Sequence, residues 1–190
     1  MTQPRSIYCL ALYPHPDTDA SIDREILPRQ LQDIGLIGSP FSLGGETRYQ
    51  PGEGFFQLLS FMGCAPALKL EPDGAGDEKF CHFRIVKKAR MELRFLRADI
   101  RARCPHCRKP GGPVADIQGL LDRDALYWCC PQCQQDSLLA DINWKHEAGL
   151  GRLFIELLDV HPHEVVPTDS LLATLSSVTG LQWQYFYTQV

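Results

Sequence analysis

A chain of 190 residues has the length of one medium domain, or of a domain carrying a small insertion. Its apolar fraction of 44 % suffices for a real core, which excludes a chain held together by metal alone. A net charge of −4 argues against a general nucleic-acid binder, and no run approaches the ~18 apolar residues of a membrane span.

Ser6 to Tyr13 reads as a buried strand ended by Pro14, too short and too poorly led by basic residues for a signal core. Ile22, Ile26, Leu27, Leu31 and Ile34 recur at helical spacing. Asp19, Ser21 or Asp23 would cap that helix, Gly35 would stop it, and Pro28 is tolerated in its first turns. Residues 38–54 are rich in Gly and polar groups and read as loop. Phe55 to Leu70 reads as extended, broken by Gly63 and Pro66, and Pro72 to Asp77 as a turn. Phe80 to Val86 is a predicted strand with Cys81, Phe83 and Ile85 on one side. Residues 87–103 fit two patterns. Ala89, Leu93, Leu96 and Ile100 make a helical stripe, whereas Met91, Leu93 and Phe95 alternate; the extended reading is preferred. Leu153 to Val160 is a strand and Thr168 to Thr179 a helix capped by Thr168 and stopped by Gly180. Leu181 to Thr188 is a last strand with Leu181, Trp183, Tyr185 and Tyr187 on one side.

The two ends of the chain resemble each other. Strand, His15-Pro16, helix, Gly35 is matched by strand, His161-Pro162, helix, Gly180. Two such halves sharing one sheet, with both helices on one face, give an α+β fold of the ferredoxin-like kind. The expected organisation is an N-terminal half over 1–97, an insertion over 98–147 and a C-terminal half over 148–190.

The insertion rests on Cys104-Pro-His-Cys107 and Cys130-Pro-Gln-Cys133, separated by 22 residues. A two-residue gap lets a tight turn aim two thiolates at one ion, and four sulfurs then close a tetrahedral zinc site. The stretch from about Ile100 to Trp144 resembles a zinc ribbon. The resemblance implies one structural Zn²⁺ on Cys104, Cys107, Cys130 and Cys133, with no open position for catalysis. A thioredoxin-like redox role for the first pair fits poorly, because Arg108-Lys-Pro-Gly-Gly-Pro113 cannot start a stable helix. Cys129 in place of Cys130 would spoil the symmetric gap. Cys9, Cys64 and Cys81 read as small buried hydrophobes, and nothing suggests a disulfide framework, so the expected compartment is the reducing cytoplasm.

Charge is uneven along the chain. Residues 84–109 hold ten Lys or Arg against Glu92 and Asp99, a local +8 inside an acidic protein. One reading is a nucleic-acid surface. The preferred one is pairing with acids of the chain or of a protein partner, with Arg101, Arg103, Arg108 and Lys109 offsetting the thiolates. Trp183, Tyr185 and Tyr187 are either a base-stacking platform or, as preferred, the sheet side of a core. His15, His161 and His163 follow two strand ends. Parallel neighbouring strands would bring them together with Asp17 or Glu164 as a second metal site, against the simpler reading of exposed loop histidines. Gly44-Gly45 to Gly54 lacks the features of a phosphate loop. Cys64 has no evident base, and His82 lies near it only in sequence.

These observations lead to a non-enzymatic zinc-binding interaction module, its ribbon and basic lead-in meeting an acidic protein partner. The alternatives are a nucleic-acid-binding ribbon protein, and an enzyme built on the Gly-rich loop and the His15/His161 edge.

Overall fold

Strands dominate the chain and the helices are few and short. The computed structural model describes residues 7–16, 25–62, 68–74 and 76–190. In chain order the elements are β1 (Tyr8–Pro14), α1 (Ile26–Asp33), β2 (Ile37–Leu43), β3 (Glu46–Pro51), α2 (Phe55–Leu58), β4 (Leu59–Phe61) and β5 (His82–Phe95). There follow β6 (Arg101–Arg103), β7 (Pro110–Pro113), α3 (Val114–Leu121), β8 (Tyr127–Cys129) and β9 (Asp136–Leu138). The chain ends with β10 (Ala148–Leu158), β11 (Val165–Pro167), α4 (Asp169–Thr179) and β12 (Trp183–Gln189). Six strands form one antiparallel sheet in the order β12-β1-β10-β5-β3-β2. Three two-stranded ladders, β11-β4, β6-β7 and β8-β9, complete the strand pairing.

Alternation decides the two faces. Leu10, Leu12, Ile155, Leu157, Trp183 and Tyr187 point to one side of the sheet. Leu27 and Leu31 of α1 and Leu171 and Leu175 of α4 cover them. Each such side chain contributes roughly 1.5–3 kcal/mol when fully buried. Thr168 caps α4 as its sequence suggests, its Oγ1 accepting from the Leu171 amide at 3.1 Å, and Gly180 ends the helix at φ 72°. The first residues of α1 are Ile26 and Leu27, with Glu25 at its start; Ile22 and the caps Asp19, Ser21 and Asp23 lie outside the described residues.

The opposite face holds Cys9, Ala11, Tyr13, Phe154 and Phe186. The long antiparallel ladder of β5 and β10 covers it. Its register breaks between Gly151 and Leu153, and its outer half turns back to the free edge of β12. There the Tyr187 amide donates to His146 O at 2.8 Å, and Thr188 Oγ1 donates to Phe95 O at 3.1 Å. Gly149 allows this closure, because a Cβ there would overlap the Phe186 ring. The enclosed space holds an ion triad. Glu156 is fully buried, and Arg84 Nε and Nη2 both reach its Oε2 at 2.5 Å. Arg94 binds the other oxygen and lies 5.1 Å over the Phe154 ring. Burial beside this triad pushes the Cys9 thiol up to about 12.

Residues 38–54 are not loop. They form the β2-β3 hairpin, joined by Gly44-Gly45 at φ 60° and 80°. Both central residues of this two-residue turn have positive φ, the choice that matches strand twist and that glycine adopts without strain. Phe55 to Leu58 is a helical turn and not extended; Gly63, Cys64 and Pro66 lie outside the described residues. Residues 87–95 continue β5, as the alternating pattern suggests.

His82, at the start of β5, is 1 % exposed and packs between Phe80 and Phe41. Burial pushes its pKa below the usual 6.5. The unfolded chain therefore takes up a proton near pH 6.5 that the folded chain refuses, and stability is lost as pH falls through that value. Urea midpoints at pH 7 and 5 should differ more in the wild type than in His82→Phe. Equal differences would remove His82 from the acid response.

Candidate metal centre

The four cysteines sit on two hairpins that fold alike. β6 leads into the first knuckle and β7 leaves it; β8 and β9 do the same for the second. The Arg108 amide donates to Cys104 O at 2.9 Å, and the Gln134 amide to Cys130 O at 2.9 Å. The return bonds match as well, from Cys104 N to Lys109 O and from Cys130 N to Gln135 O. Arg108 and Gln134, each just after the second cysteine, both adopt left-handed backbone at φ 61° and 60°. For a non-glycine residue that costs about 1–2 kcal/mol. The same strained turn built twice indicates that one central demand sets both.

That demand is the sulfur geometry. Cys104 Sγ lies 3.7 Å from Cys133 Sγ, and Cys107 Sγ lies 3.8 Å from Cys130 Sγ. All four sulfurs fall within 4.8 Å of one another. A tetrahedral ion with metal–sulfur bonds of about 2.3 Å requires sulfur–sulfur edges of about 3.8 Å. The donor set thus fits one metal ion and is consistent with a zinc-ribbon-like site. Cys104 and Cys130 are buried, and the Gln132 amide donates to Cys130 Sγ at 3.4 Å. Burial works against ionisation of Cys104, but the amides of Cys107 and His106 and the neighbouring thiols outweigh it and bring that thiol down to about 6. The Cys133 thiol moves the opposite way: the Gln135 amide lowers it, but burial and the thiols of Cys104, Cys107 and Cys130 outweigh that and push it up to about 12, so the four sulfurs share their protons unequally. Cys129 points away and is exposed. All seven cysteines among the described residues are free thiols.

The 22-residue separation is longer than a pair of hairpins needs because it contains α3. Val114 and Ile117 of α3 join Ile100, Ala102, Trp128, Ile142 and Trp144 in a second apolar cluster around the cysteines. Gly111 faces the Trp128 indole so closely that any side chain would overlap it. The motif spacing does not reveal α3, since Val114-Ala-Asp-Ile-Gln-Gly-Leu-Leu121 is short and lacks a polar cap: Pro113 occupies the N-cap.

The other candidates separate. β1 and β10 are neighbours but run antiparallel, with Cys9 opposite Leu158 and Leu12 opposite Ile155. His15 and His161, which follow the two strands, therefore lie at opposite ends of the sheet. His15 Nε2 is 3.4 Å from Asp141 Oδ1, whereas His161 packs on Tyr8 and His163 on Tyr187. No second metal cluster forms among the described residues. Asp17 and Cys64 lie outside them. The Gly-rich segment is the β2-β3 hairpin and its exit, so the expected joint site with His15 and His161 has no shared location. Trp183 and Tyr187 are buried, Tyr187 donating through its hydroxyl to Val165 O at 2.9 Å, which makes this face part of the core.

Much of the basic stretch is consumed inside the chain. Arg84 and Arg94 hold Glu156, Arg97 bonds Glu147 at 2.6 Å, Arg90 bonds Asp124 at 2.8 Å, and Lys88 pairs with Glu92 at 3.3 Å. Arg101 donates through Nε and Nη2 to Gly111 O, bracing the first hairpin.

A groove of about 610 Å³ runs between the first knuckle and the start of β12, with His15, Asp141, Lys145 and His146 on its walls. Its parts come from four segments distant in sequence, so no local motif announces it.

No family model matches this chain, and neither the curated proteins nor the solved structures contain a match to it. The structure itself defines a mixed α/β chain, mostly strands around a large antiparallel sheet, carrying a four-cysteine site suited to a metal ion. No helix among the described residues is long and apolar enough to cross a membrane.

Proposed function

We propose that the chain is a zinc-binding interaction module that meets a protein partner through the outer face of its ribbon. Leu126 and Tyr127 carry this reading. They are adjacent, 64 % and 60 % exposed, and sit at the start of the strand that runs into Cys130. Large apolar side chains held rigidly at a surface are the usual core of a contact patch. Arg108 and Lys109 are exposed on the same ribbon, which suits an acidic partner. Zinc is the proposed ion because four thiolates in a closed tetrahedron are its structural ligand set. Nucleic acid is the less supported occupant, since Arg84, Arg94 and Arg97 are already committed to carboxylates.

The fold reading belongs to the same proposal. The order β12-β1-β10-β5, with α1 and α4 on one face, supports a ferredoxin-like core. Residues 98–147 are then its zinc insertion, between halves over 1–97 and 148–190. Free thiols at every described cysteine support a reducing, cytoplasmic setting.

The test is affinity capture from native lysate with the wild type, with Leu126→Glu/Tyr127→Glu, and with wild type plus chelator. A partner held only by the zinc-loaded wild type is the expected result. The same partner on the charged variant would move the contact off this face. Salt-sensitive retention on heparin would transfer the reading to nucleic acid.

A further inference from the structure

We infer that the groove between the first knuckle and β12 binds a small anion carrying a flat heterocycle, of the size of a nucleoside monophosphate. This stands apart from the partner face at Leu126 and Tyr127 and does not depend on it.

The first observation is a turn whose residues contradict its shape. Trp144 to Glu147 is a tight turn, closed by the Glu147 amide donating to Trp144 O at 3.1 Å. Its two central residues, Lys145 and His146, both have left-handed backbone, at φ 52° and 63°. Such a turn favours Asn-Gly, and side chains as large as Lys and His are strained in it. Backbone strain of this kind gathers where side chains are kept for what they do.

The second observation is how rigidly those side chains are presented. The His146 ring lies flat on Tyr185, with centroids 4.0 Å apart and planes 6° apart. Its Nδ1 is 3.0 Å from Tyr185 O, and its own carbonyl accepts from Tyr187. The Asn143 side chain accepts from the Lys145 amide at 2.9 Å. The imidazole is thus fixed as a shelf. His146 is exposed and lines the groove, so the ring face turned away from Tyr185 is open to a ligand.

The third observation is the chemistry around that shelf. Lys145 supplies an ammonium and His15 an imidazole already oriented by Asp141. Asn143 and Gln184 bring amide groups able to read a heterocycle's edge. A volume of about 610 Å³ falls within the ~300–1,000 Å³ of small-molecule sites. A flat surface for stacking, a cation for phosphate and amides for base edges make a set that a mononucleotide satisfies as a whole.

The experiment uses the full-length, metal-loaded chain and titrates adenosine monophosphate, inorganic phosphate and adenosine separately, following binding by calorimetry. The expected result is saturable binding of the nucleotide, about tenfold or more tighter than either fragment. Lys145→Asn/His146→Gly gives the turn its preferred residues while removing both ligand-facing groups. It should therefore keep or raise the urea midpoint and weaken the nucleotide by about tenfold or more. No saturation at about 10 mM nucleotide overturns the inference, as does unchanged affinity in the double variant. Phosphate binding as tightly as the nucleotide removes the stacking part, and adenosine doing so removes the anion part. Should the variant misfold, side-chain NMR of His15 and His146 in the wild type decides: unmoved resonances on nucleotide addition refute the site.

Discussion

Cys107→Ser is expected to abolish metal binding at the four-cysteine site and melt the two hairpins that carry it, while leaving the six-stranded sheet folded. The two apolar clusters are distinct. One fills the space between the sheet and helices α1 and α4, and the other surrounds the cysteines. The ribbon's own strands are three or four residues long, too short to hold without a clamp. Structural zinc supplies on the order of 10–16 kcal/mol in small domains, and three sulfurs lose most of it. Elemental analysis should find about one ion per wild-type chain and almost none in the variant. Near-ultraviolet circular dichroism should lose the signals of Trp128 and Trp144, both buried beside the site, and keep that of Trp183 in the sheet. Full metal content in Cys107→Ser, or collapse of all three signals together, would defeat this picture.

Glu156→Leu should be the most damaging single change in the sheet. It leaves Arg84 without its carboxylate and Arg94 with only the more exposed Glu92, 3.7 Å from its Nε, at a cost of about 3–5 kcal/mol. Adding Arg94→Leu should restore part of that loss, because an apolar pair of similar volume often replaces a buried ion pair without penalty. Urea unfolding of the two single variants and the double gives the coupling directly. Simple additivity would show that the three charges do not act as a unit.

The sequence displayed some of this plainly and hid the rest for physical reasons. The knuckles were legible because a two-residue gap between cysteines constrains metal geometry whatever surrounds it. Thr168 and Gly180 marked the ends of α4 by capping chemistry that is local to the chain. The β2-β3 hairpin was misread because its strands are half exposed and carry few apolar residues; Gly44-Gly45 held the signal that composition obscured. The direction of β1 against β10 was misjudged, and only that parallel pairing had made a second histidine site an alternative to the preferred reading of loop histidines. Strand pairing is a long-range property, and similar sequences at the ends of two strands say nothing about which way they run. Pairing of the basic stretch with acids was the preferred reading, but the acid that takes up Arg84 and Arg94 was not legible, because Glu156 lies more than sixty residues away. The turn at Lys145 and His146 left no trace at all, since its residues run against its conformation.

The returning β5-β10 ladder also limits strand addition at the side of the sheet it closes. With His146 bonded to Tyr187, part of the backbone row on β12 is already occupied, and β2 is left at the other lateral end of the sheet. There Pro40 withholds an amide, next to the register shift between Ile37 and Pro40. Intermolecular strand addition, the first step towards fibrils, therefore finds an interrupted template at each side.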